Sequence, residues 1–462
     1  MDHLNAALEK MRAAGVADVA VRTFAQHYER LQAGEQGVLA ESEIEPVAEL
    51  PDADELPADE CGAREALGRT VVIKLNGGLG TSMGMTGPKS LLEVKDGLTF
   101  LDITVRQILH LRRRMDAALP LVLMNSFATR DASLAALEPY DSLAEAGVGA
   151  DFLQSMVPKL AAEDLAPASW PADPSLEWAP PGHGDLYPSL LSSGMLEALL
   201  EGGYRYAFVA NIDNLGAVLS PRILAWFARE QIPFLMEVAD RTAADRKGGH
   251  LARRPDGGLV LREIAQTPDE DVDAFQDTSR HGFFNTNTLW IDLRALAGVL
   301  EQRDGVLGLP MIVNRKTIDP GDSSSTPVIQ LETAMGAAID VFDGARAIRV
   351  PRERFAPVKT TDDLLALRSD AYVLHDDGAV AVAPQRDHAA APLVQLDPDH
   401  FKLVRDFEAR FAAGPPSLVQ AQRLTVRGDV SFGAGVVVRG AVTVEHAGDG
   451  QRQIADGELL EG

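Results

Sequence analysis

Apolar residues recur along this chain with more than one period, and each period predicts a different kind of element. In the first 45 residues they return every three or four positions, as they do on one face of an amphipathic helix. The positions on these faces are Leu4, Ala7, Leu8, Met11, Phe24, Tyr28 and Leu31. We therefore expect helices here, followed by an extended acidic connector over residues 43–60, which contain three prolines.

Short apolar runs alternate with amphipathic stretches from residue 70 to about residue 370. Residues 121–124, 206–210 and 233–238 are runs with the length and composition of buried strands. A chain that alternates strands with helices builds an α/β fold, with a mostly parallel sheet covered on both faces. Ligands of such sheets bind at the carboxyl ends of the strands, which is where site residues are expected.

The last part of the chain has a period of six residues. Leu424, Val430, Val436 and Val442 follow one another at this interval, with glycines between them. Branched apolar residues at this spacing are typical of a parallel β-helix, although a pair of β-hairpins fits the same run.

A chain of 462 residues is too long for one comfortable core, so two or three domains are expected. We predict an N-terminal helical segment and linker over residues 1–60, a main α/β domain over residues 61–380, and a short β-helix domain over residues 381–462. A stretch rich in alanine and proline, residues 383–392, is the predicted hinge before the last domain.

The composition narrows the classes of partner. The formal net charge is −25, which disfavours nucleic acid and anionic membranes. An anionic substrate would therefore have to meet lysines, backbone amides or a metal placed locally. A single cysteine, Cys61, excludes an internal disulfide, and no apolar run is long enough to span a bilayer. We expect a cytoplasmic protein.

The most informative segment is residues 71–89, where an apolar run leads into a glycine-rich loop that ends at Lys89. Glycines at positions 77, 78, 80, 84 and 87 let the backbone turn sharply and present N–H groups to one point. Such amides form an anion-binding concavity, and the lysine adds a full positive charge. Pro88 argues against a Walker loop, and no helix start follows the glycines as a dinucleotide fold requires. The segment predicts a phosphate site, the alternative being a merely flexible loop.

From Leu75 to Lys89 the sequence reads Leu-x-Gly-Gly-x-Gly-Thr-x-Met-Gly-x-x-x-Pro-Lys. This pattern resembles the nucleotide loop of sugar-nucleotide pyrophosphorylases, and its Met-Gly form resembles the eukaryotic-type UTP–glucose-1-phosphate uridylyltransferase family. The resemblance implies a glycosyltransferase-A-like nucleotide-binding sheet, which makes residues 61–380 the nucleotidyltransferase domain. It also implies that Lys89 is catalytic. The loop residues that it assigns to the nucleotide are Leu75, Asn76, Gly77 and Gly78.

A second signal is the turn at residues 182–185, Gly-His-Gly-Asp. Glycines on both sides of His183 give a tight turn that projects the imidazole and leaves amides open. A structural turn with a surface histidine fits the same residues. By resemblance, Gly182 contacts the nucleotide and His183 the sugar phosphate.

Asn211, Ile212 and Asp213 follow the strand predicted at residues 206–210. A carboxylate at the end of a buried strand often holds a metal, and Mg²⁺ needs only one or two carboxylates beside phosphate and water. An Asp/Asn pair after a strand is otherwise often a plain turn. The resemblance puts Asp213 on Mg²⁺, with Asn211 and Ile212 near the sugar phosphate.

Further candidates depend more on the resemblance. Gln154 follows a short predicted strand, and its amide offers the donor and the acceptor that a uracil edge needs. Asn285 and Asn287 would present two amides to sugar hydroxyls from one strand face, unless they are ordinary polar residues of an edge strand. Glu237 matches the family and is expected near the sugar phosphate, and Glu332 is expected to open a helix.

Lys359 lies just before a predicted helix that Thr361 or Asp362 would cap. Most single lysines are ordinary surface charges. The resemblance makes this lysine a second catalytic group, which contacts the nucleotide and neutralises phosphate charge as pyrophosphate leaves.

With the resemblance, these observations predict an enzyme that transfers uridylyl from UTP to glucose 1-phosphate with Mg²⁺ as cofactor. The alternatives are a UDP-sugar or UDP-N-acetylhexosamine pyrophosphorylase and, outside enzymes, a catalytically silent sugar-nucleotide sensor, which should lack a lysine or the aspartate. The expected partners are UTP and glucose 1-phosphate, and the tail would support a homo-oligomer.

Overall fold

The computed structural model describes residues 3–35, 37–140, 143, 147–242, 245–386 and 391–462. Its α-helices are α1 (His3–Ala13), α2 (Asp18–Gln32), α3 (Glu60–Leu67), α4 (Phe100–Met115), α5 (Arg130–Leu137), α6 (Leu186–Ser192), α7 (Met195–Glu201), α8 (Pro221–Arg229), α9 (Val272–Gln276), α10 (Leu293–Gln302), α11 (Thr361–Arg368), α12 (Pro398–Phe401) and α13 (Val404–Arg410). Of the predicted hinge over residues 383–392, residues 387–390 lie outside the described part.

The strands are short, except at the centre of the main sheet. In chain order they are β1 (Glu45–Pro46), β2 (Thr70–Asn76), β3 (Glu93–Lys95), β4 (Leu98–Thr99), β5 (Leu121–Asn125), β6 (Asp151–Leu153), β7 (Val157–Pro158), β8 (Leu160–Ala161), β9 (Trp178–Ala179), β10 (Tyr206–Asn211), β11 (Phe234–Asp240), β12 (His250–Arg253), β13 (Leu259–Arg262), β14 (Phe283–Asp292), β15 (Met311–Thr317), β16 (Pro327–Thr333), β17 (Arg346–Arg349), β18 (Tyr372–Leu374), β19 (Val380–Val382), β20 (Leu393–Gln395), β21 (Ala421–Arg427), β22 (Val430–Phe432), β23 (Val437–Glu445), β24 (Arg452–Ile454) and β25 (Leu459–Glu461).

The central sheet confirms the predicted mixed α/β fold. Its strands lie in the order β1-β12-β14-β10-β2-β5-β6, and β10, β2, β5 and β6 run parallel. A second parallel pair, β11 and β17, joins the sheet through β14. The periodicity did not reveal that β14 runs antiparallel to both β10 and β11. This arrangement places the carboxyl ends of β2, β5, β6 and β10 side by side.

Helices and loops cover both faces of this sheet, which explains why its strands read as continuous apolar runs. In β2, Val71 and Ile73 belong to one buried cluster, while Val72 belongs to the cluster on the opposite face. Lys74 shares the Val72 face because side chains alternate along a strand, and it is only 2% exposed.

The N-terminal segment is helical, as its periodicity predicts. Residues of α1 and α2, among them Met11, Phe24 and Tyr28, form a cluster with residues of β7, β15 and β16. The connector that follows contributes β1, which pairs antiparallel with β12. Among the helices that the structure describes, none combines the length and apolar character needed to cross a bilayer.

The C-terminal strands pair in parallel. β20, β21, β23 and β25 form one sheet and β22 and β24 another, and the described pairings among these strands are parallel. Hairpins would be antiparallel, so the hairpin alternative does not hold here. Leu424, Val430, Val436 and Val442 are buried, and their cluster also contains residues of the main sheet such as Phe208.

Candidate active site

The glycine-rich loop leaves the carboxyl end of β2 and folds back on itself. Gly80 and Gly84 have φ angles of 64° and 72°, in the left-handed region that favours glycine. The loop closes where the backbone N–H of Lys89 donates to the carbonyl of Gly78 at 3.0 Å. A 3₁₀ turn at Lys89–Leu91 comes next, and β3 begins at Glu93.

Gly77 and Gln154 meet, although 77 residues separate them in the chain. A Cβ atom added to Gly77 would lie 2.6 Å from Gln154 Oε1, so a larger residue would displace this amide from its position. The backbone N–H of Gln154 donates to the carbonyl of Asn125 at 2.8 Å, which holds the residue beside β5. Gln154 also lines a cavity of about 340 Å³ together with the exposed ring of Phe127.

Three further candidates at this edge of the sheet are held by packing and by hydrogen bonds within the chain. They are Leu75, Asn76 and Ile212. The Asn76 amide donates to Asn125 Oδ1 at 2.7 Å and to Ser133 Oγ at 2.8 Å, which commits it to the neighbouring elements. Ile212 packs its side chain into the core, and its N–H donates to the carbonyl of Leu75 at 3.2 Å. The side chains of Asn76 and Ile212 are therefore buried and committed, whereas that of Leu75 is partly exposed.

Lys89 and Asp213 form an ion pair. Lys89 Nζ donates to Asp213 Oδ2 at 2.6 Å, and the two side chains are only 15% and 21% exposed. The pair joins the end of the glycine-rich loop to the turn after β10, as two neighbouring parallel strands allow. The structure thus brings together the predicted catalytic lysine and the predicted metal-binding aspartate.

Lys74 is a buried lysine close to this pair that the sequence reasoning missed. Its Nζ donates to the carbonyl of Ala217 at 2.9 Å, and it lies 5.8 Å from the centre of the Phe208 ring. Burial, assisted by the charge of Arg354, lowers the pKa of Lys74 to about 7, against the opposing effect of Asp213 and Glu237. A lysine within the otherwise apolar run of β2 was the available signal.

The Gly-His-Gly-Asp turn packs against β16. Gly182 has a φ of 80°, and a Cβ there would lie 2.4 Å from the carbonyl oxygen of Thr333. His183 Nδ1 accepts the backbone N–H of Met335 at 2.9 Å, and burial lowers the pKa of this imidazole to about 4. The ring is therefore neutral at pH 7, with its hydrogen on Nε2.

Asp185 ties the same turn to the Gln154 segment. Its Oδ2 accepts the N–H of Ser155 at 2.6 Å and the hydroxyl of Ser189 at 2.7 Å. Burial raises the pKa of Asp185 to about 6, although both hydrogen bonds act in the opposite direction. The segment that carries Gln154 and the turn that carries His183 are thus joined by hydrogen bonds.

Asn285 and Asn287 contact each other, but not as a regular strand face. The amide of Asn285 donates to Asn287 Oδ1 at 2.9 Å, and Asn287 N–H donates to Asn285 Oδ1 at the same distance. The register with β11 shifts here, and Asn287 has a φ of 56°. The two amides therefore lie together, as the prediction of a shared strand face requires, but a bulge and not a regular register brings them there.

Glu263 lies next to these asparagines and was also missed. A Cβ on Gly249 would be 2.5 Å from its carboxyl group, and the carbonyl of Gly249 accepts the N–H of Asn285. Burial raises the pKa of Glu263 to about 7, and the charge of Lys359 opposes this shift. Glu263 follows β13, a strand that the run at residues 259–262 could have indicated.

Glu237 does not face the open cleft, and its contact with the sugar phosphate stays a prediction. It is fully buried, and Arg354 donates to both of its oxygens at 2.7 and 2.8 Å. Trp290 Nε1 donates to Glu237 Oε1 at 2.9 Å. Its role in this geometry is to hold Arg354, five residues before Lys359.

Lys359 is exposed, and the turn that carries Asp213 fixes its segment. Asn214 accepts the N–H of Ala356 at 3.0 Å and donates to the carbonyl of Arg354 at 3.1 Å. The N–H of Val358 donates to the carbonyl of Asp213 at 3.2 Å. Hydrogen bonds thus join the segment that carries Lys359 to the turn that carries Asp213, the predicted metal ligand.

Two helix predictions in this region need correction. The helix after Lys359 is capped by Thr360, which forms a capping box with Asp363, rather than by Thr361 or Asp362. Glu332 does not open a helix but lies in β16, and a 3₁₀ segment begins only at Met335. Both are shifts of one to three residues at element ends, where sequence signals are weakest.

Comparison with known proteins shows which family this site belongs to. A family model described as UTP–glucose-1-phosphate uridylyltransferase matches residues 21–439. The chain belongs to the UTP–glucose-1-phosphate uridylyltransferase family. It is 43% identical over 419 residues to the Solanum tuberosum member, covering 90% of this chain and 84% of the relative. A member described as probable, from Schizosaccharomyces pombe, is 42% identical over 400 residues, which is 86% of this chain and 77% of that protein.

Solved structures of the family agree with the whole fold. A Trypanosoma brucei protein named UDP-glucose phosphorylase is 46% identical, with a TM-score of 0.92 over 100% of this chain and 98% of that one. A Leishmania major UDP-glucose pyrophosphorylase mutant in complex with UDP-glucose gives the same identity, coverage and TM-score. Family membership therefore extends over the N-terminal helices and the C-terminal strands, about which the glycine-rich loop alone says nothing.

Proposed function

We propose that this protein transfers the uridylyl group of UTP to glucose 1-phosphate, giving UDP-glucose and pyrophosphate. The observation that carries the proposal is the meeting of the glycine-rich loop, Lys89 and Asp213 at the carboxyl edge of the central sheet. Membership of the uridylyltransferase family supports the same reaction, and so does the solved Leishmania major relative in complex with UDP-glucose.

In the proposed reaction a phosphate oxygen of glucose 1-phosphate attacks the α-phosphorus of UTP in line, and the bond to pyrophosphate breaks. No protein nucleophile is needed, so the chain contributes positioning and charge neutralisation. Lys89 and the loop amides would offset charge on the nucleotide phosphates. Lys359 would offset charge on the departing pyrophosphate.

We propose the substrate contacts from the same geometry. Gln154 and the Gly182 backbone would read the uracil edge, with Gly77 leaving space for the glutamine amide. His183 and Asn211 would face the sugar phosphate. Asn285 and Asn287, with Glu263 beside them, offer donors and acceptors to sugar hydroxyls. Leu75, Asn76, Gly78 and Ile212 would act through their backbone.

Mg²⁺ is the proposed cofactor, and the donor set is compatible with it. Asp213 is the carboxylate at the cleft, and the residues that the structure describes contain no cluster of three or more metal-binding side chains. Mg²⁺ commonly takes one or two carboxylates and completes its shell with phosphate oxygens and water, so one aspartate suffices. When bound, the ion would supply positive charge at the triphosphate.

The C-terminal strands support a further proposal, a short parallel β-helix available for self-association. Leu424 pairs with Val442, three six-residue intervals later, as in one coil of such a helix. A coil stack leaves an open edge that another chain can pair with. Cytoplasmic location and the absence of a nucleic-acid partner stay predictions.

The reaction is tested by pyrophosphate release from UTP and Mg²⁺ with glucose 1-phosphate, galactose 1-phosphate or N-acetylglucosamine 1-phosphate. We expect the highest kcat/KM with glucose 1-phosphate and no release without a sugar phosphate. A faster reaction with another sugar phosphate would favour the UDP-sugar or UDP-N-acetylhexosamine alternatives. UTP binding without turnover on any of them would favour a sensor.

A further inference from the structure

Glu41 joins the N-terminal segment to the central sheet through a buried ionic cluster. It lies in a 3₁₀ turn at Glu41–Glu43, and its side chain is only 13% exposed. Arg262 Nη1, at the end of β13, donates to Glu41 Oε2 at 2.5 Å. The other oxygen, Oε1, accepts the Nε2–H of His281 at 3.0 Å and pairs with Arg280 Nε at 2.6 Å. One carboxylate thus holds basic side chains that lie far along the chain.

Arg262 depends on this contact. Its side chain is fully buried, and a buried guanidinium group is stable only beside anionic partners. Asp271 is the second partner, because its Oδ2 accepts Arg262 Nη2 at 3.1 Å and the backbone N–H of Glu41 at 2.6 Å. Loss of the Glu41 charge would leave Arg262 with one acid. The strand end that carries Arg262 would then have to shift.

This strand end leads directly into the sugar side of the cleft. Glu263 is the next residue, and its backbone N–H donates to Gln266 Oε1 at 3.0 Å. The backbone N–H of Leu39 donates to the carbonyl of Gln266 at 2.7 Å. The N-terminal segment therefore binds the chain on both sides of Glu263, through Arg262 before it and Gln266 after it.

The same cluster reaches Asn285 through two stacked histidines. The rings of His250 and His281 are buried, and their centres are 3.9 Å apart. Gly249, which precedes His250, accepts the backbone N–H of Asn285 at 3.0 Å and lies against the Glu263 carboxyl group. Close packing leaves His250 little room to move independently of His281. A displaced His281 would therefore move the backbone that supports both sugar-side groups.

We propose that Glu41 is a positioning residue for the sugar. It acts through Arg262 and His281. The groups that it orients are Glu263 and Asn285. The proposal rests on the proposed function, which assigns these two groups to sugar hydroxyls. Within the described part of the chain, no bond of the cluster involves Gln154, so loss of Glu41 should weaken sugar contacts and spare the base and the phosphates.

Titrations with UDP-glucose and with UDP, which lacks the sugar, test this role. Glu41→Gln keeps the shape of the side chain and removes its charge. It should bind UDP-glucose about tenfold more weakly than wild type, because a misplaced hydrogen bond costs about that factor. Its affinity for UDP should stay within about twofold. In steady-state kinetics, KM for glucose 1-phosphate should rise by a similar factor while KM for UTP stays unchanged.

A double-mutant cycle separates positioning from a general loss of stability. Glu263→Gln weakens a sugar contact directly, so Glu41→Gln has less left to misplace in its presence. The loss of UDP-glucose affinity in the double variant should therefore be clearly smaller than the product of the two single losses. A loss equal to that product would overturn the proposal.

The matched control is Glu177→Gln. Glu177 is 14% exposed and pairs with Lys10 of α1, so it is a similarly buried acid that docks the N-terminal helices elsewhere. This variant should lower the melting temperature without changing the affinity for UDP-glucose relative to UDP. The same pattern in Glu41→Gln would make Glu41 a purely structural residue and would overturn the proposal.

A milder variant covers the case in which Glu41→Gln does not fold. Glu41→Asp keeps the charge but shortens the side chain, so it cannot hold Arg262 and His281 in their present places. It should show the same selective loss of UDP-glucose affinity, by at least about threefold. Unchanged affinity of a folded Glu41→Asp variant would then count against the role.

The outcome is separable from the test of the reaction, because the titrations need no turnover. Absence of turnover with glucose 1-phosphate would refute the proposed function, and a selective loss of UDP-glucose affinity in Glu41→Gln would still support positioning. If another sugar phosphate is the substrate, its UDP-sugar replaces UDP-glucose in the titration. Conversely, UDP-glucose formation by wild type, with unchanged UDP-glucose affinity in Glu41→Gln, would refute the positioning role alone.

Discussion

Lys74 places a charge where the apolar run of its strand leaves no water to solvate it. It is tolerated because its ammonium group donates to the carbonyl of Ala217 and has Asp213 and Glu237 as anionic neighbours. Each of those acids has a cation of its own, Lys89 for Asp213 and Arg354 for Glu237. At the scale of single residues, basic and acidic side chains therefore alternate in the buried layer next to the Lys89–Asp213 pair.

Lys89→Met should reduce kcat by on the order of 10²–10³, because the variant loses a full charge aimed at the phosphates in the transition state. UTP affinity should change much less, since the loop amides and Gln154 remain. Steady-state kinetics and UTP titration measure the two effects separately. The control is Lys316→Met, an exposed lysine paired with Glu332, and it should keep near-native turnover. Near-native turnover of Lys89→Met would remove it from the catalytic role.

Asp213→Asn should lose most activity and most of its response to Mg²⁺, because an amide oxygen is a poor substitute for an anionic ligand. The measurement is a Mg²⁺ titration of pyrophosphate release at saturating UTP. An unchanged titration curve would place the metal elsewhere.

At the scale of elements, the loop and the turns work through close packing that glycine permits. Gly77 lies against the Gln154 amide, and Gly182 lies against the backbone of β16. The first contact brings a distant segment to the nucleotide loop, and the second holds the Gly-His-Gly-Asp turn on β16. Base recognition should therefore respond to changes on the loop that touch no nucleotide atom.

Gly77→Ala should lower kcat/KM for UTP by about tenfold, because the new Cβ displaces the glutamine amide and leaves a uracil edge unpaired. Discrimination against ATP should fall with it. Gly87→Ala is the comparison, since an added Cβ there meets nothing within 4 Å. Kinetics with UTP and ATP for both variants decide the point. Equal effects of the two substitutions would contradict the contact as the cause.

The free energy of unfolding should decrease in acid because of a buried histidine on α2. His27 is 5% exposed, its Nε2–H donates to the carbonyl of Leu309 at 3.2 Å, and burial lowers its pKa to about 4. The unfolded chain binds this proton first, so the contribution is present above about pH 6.5 and is lost as the pH falls toward 4. It amounts to roughly 3 kcal/mol.

The variant His27→Gln keeps a donor for Leu309 but cannot be protonated in this range. The difference in melting temperature between wild type and this variant should therefore narrow between pH 6.5 and pH 4. A constant difference across that range would show that His27 does not cause the pH dependence.

The sequence predicts the site residues that directly follow a parallel strand. It does not predict those whose position depends on pairing between strands far apart in the chain. Lys89, Asp213 and Gln154 each follow a strand of the parallel part, whose carboxyl ends meet by topology. Glu263 and the Asn285–Asn287 contact depend on where β14 bulges against β11, which no local pattern encodes. Glu237 lies within a strand whose facing partners were unknown, so its burial could not be read from its neighbours in sequence.

At the scale of the whole molecule, the C-terminal strands share a core with the catalytic sheet. Phe401, Leu418 and Leu424 belong to the same buried cluster as Phe208 and Leu123. A Cβ on Gly84 of the nucleotide loop would lie 2.9 Å from Leu403. The tail is therefore packed against the site region even though it supplies none of the candidate site side chains.

Deleting the chain beyond about Pro415 should lower the melting temperature by at least about 5 °C, because it removes Leu418, Leu424 and their neighbours from this cluster. UTP binding should survive in the folded fraction, since the loop and Gln154 remain. Differential scanning calorimetry, light scattering and UTP titration test this. A folded truncation of native mass and stability that no longer binds UTP would assign the tail to the site.

Asn214 joins the turn that carries Asp213 to the segment that leads to Lys359, through hydrogen bonds made within the chain itself. The conformational entropy of these segments is therefore lost during folding and not when the substrates arrive. The Asp213 and Lys359 side chains, on separate segments, are then positioned before the substrates bind. Such preorganisation is the condition for a high effective molarity. Loosening Asn214 should consequently slow turnover without weakening the affinity for UTP, because disorder between the two segments would have to be removed again in every catalytic cycle.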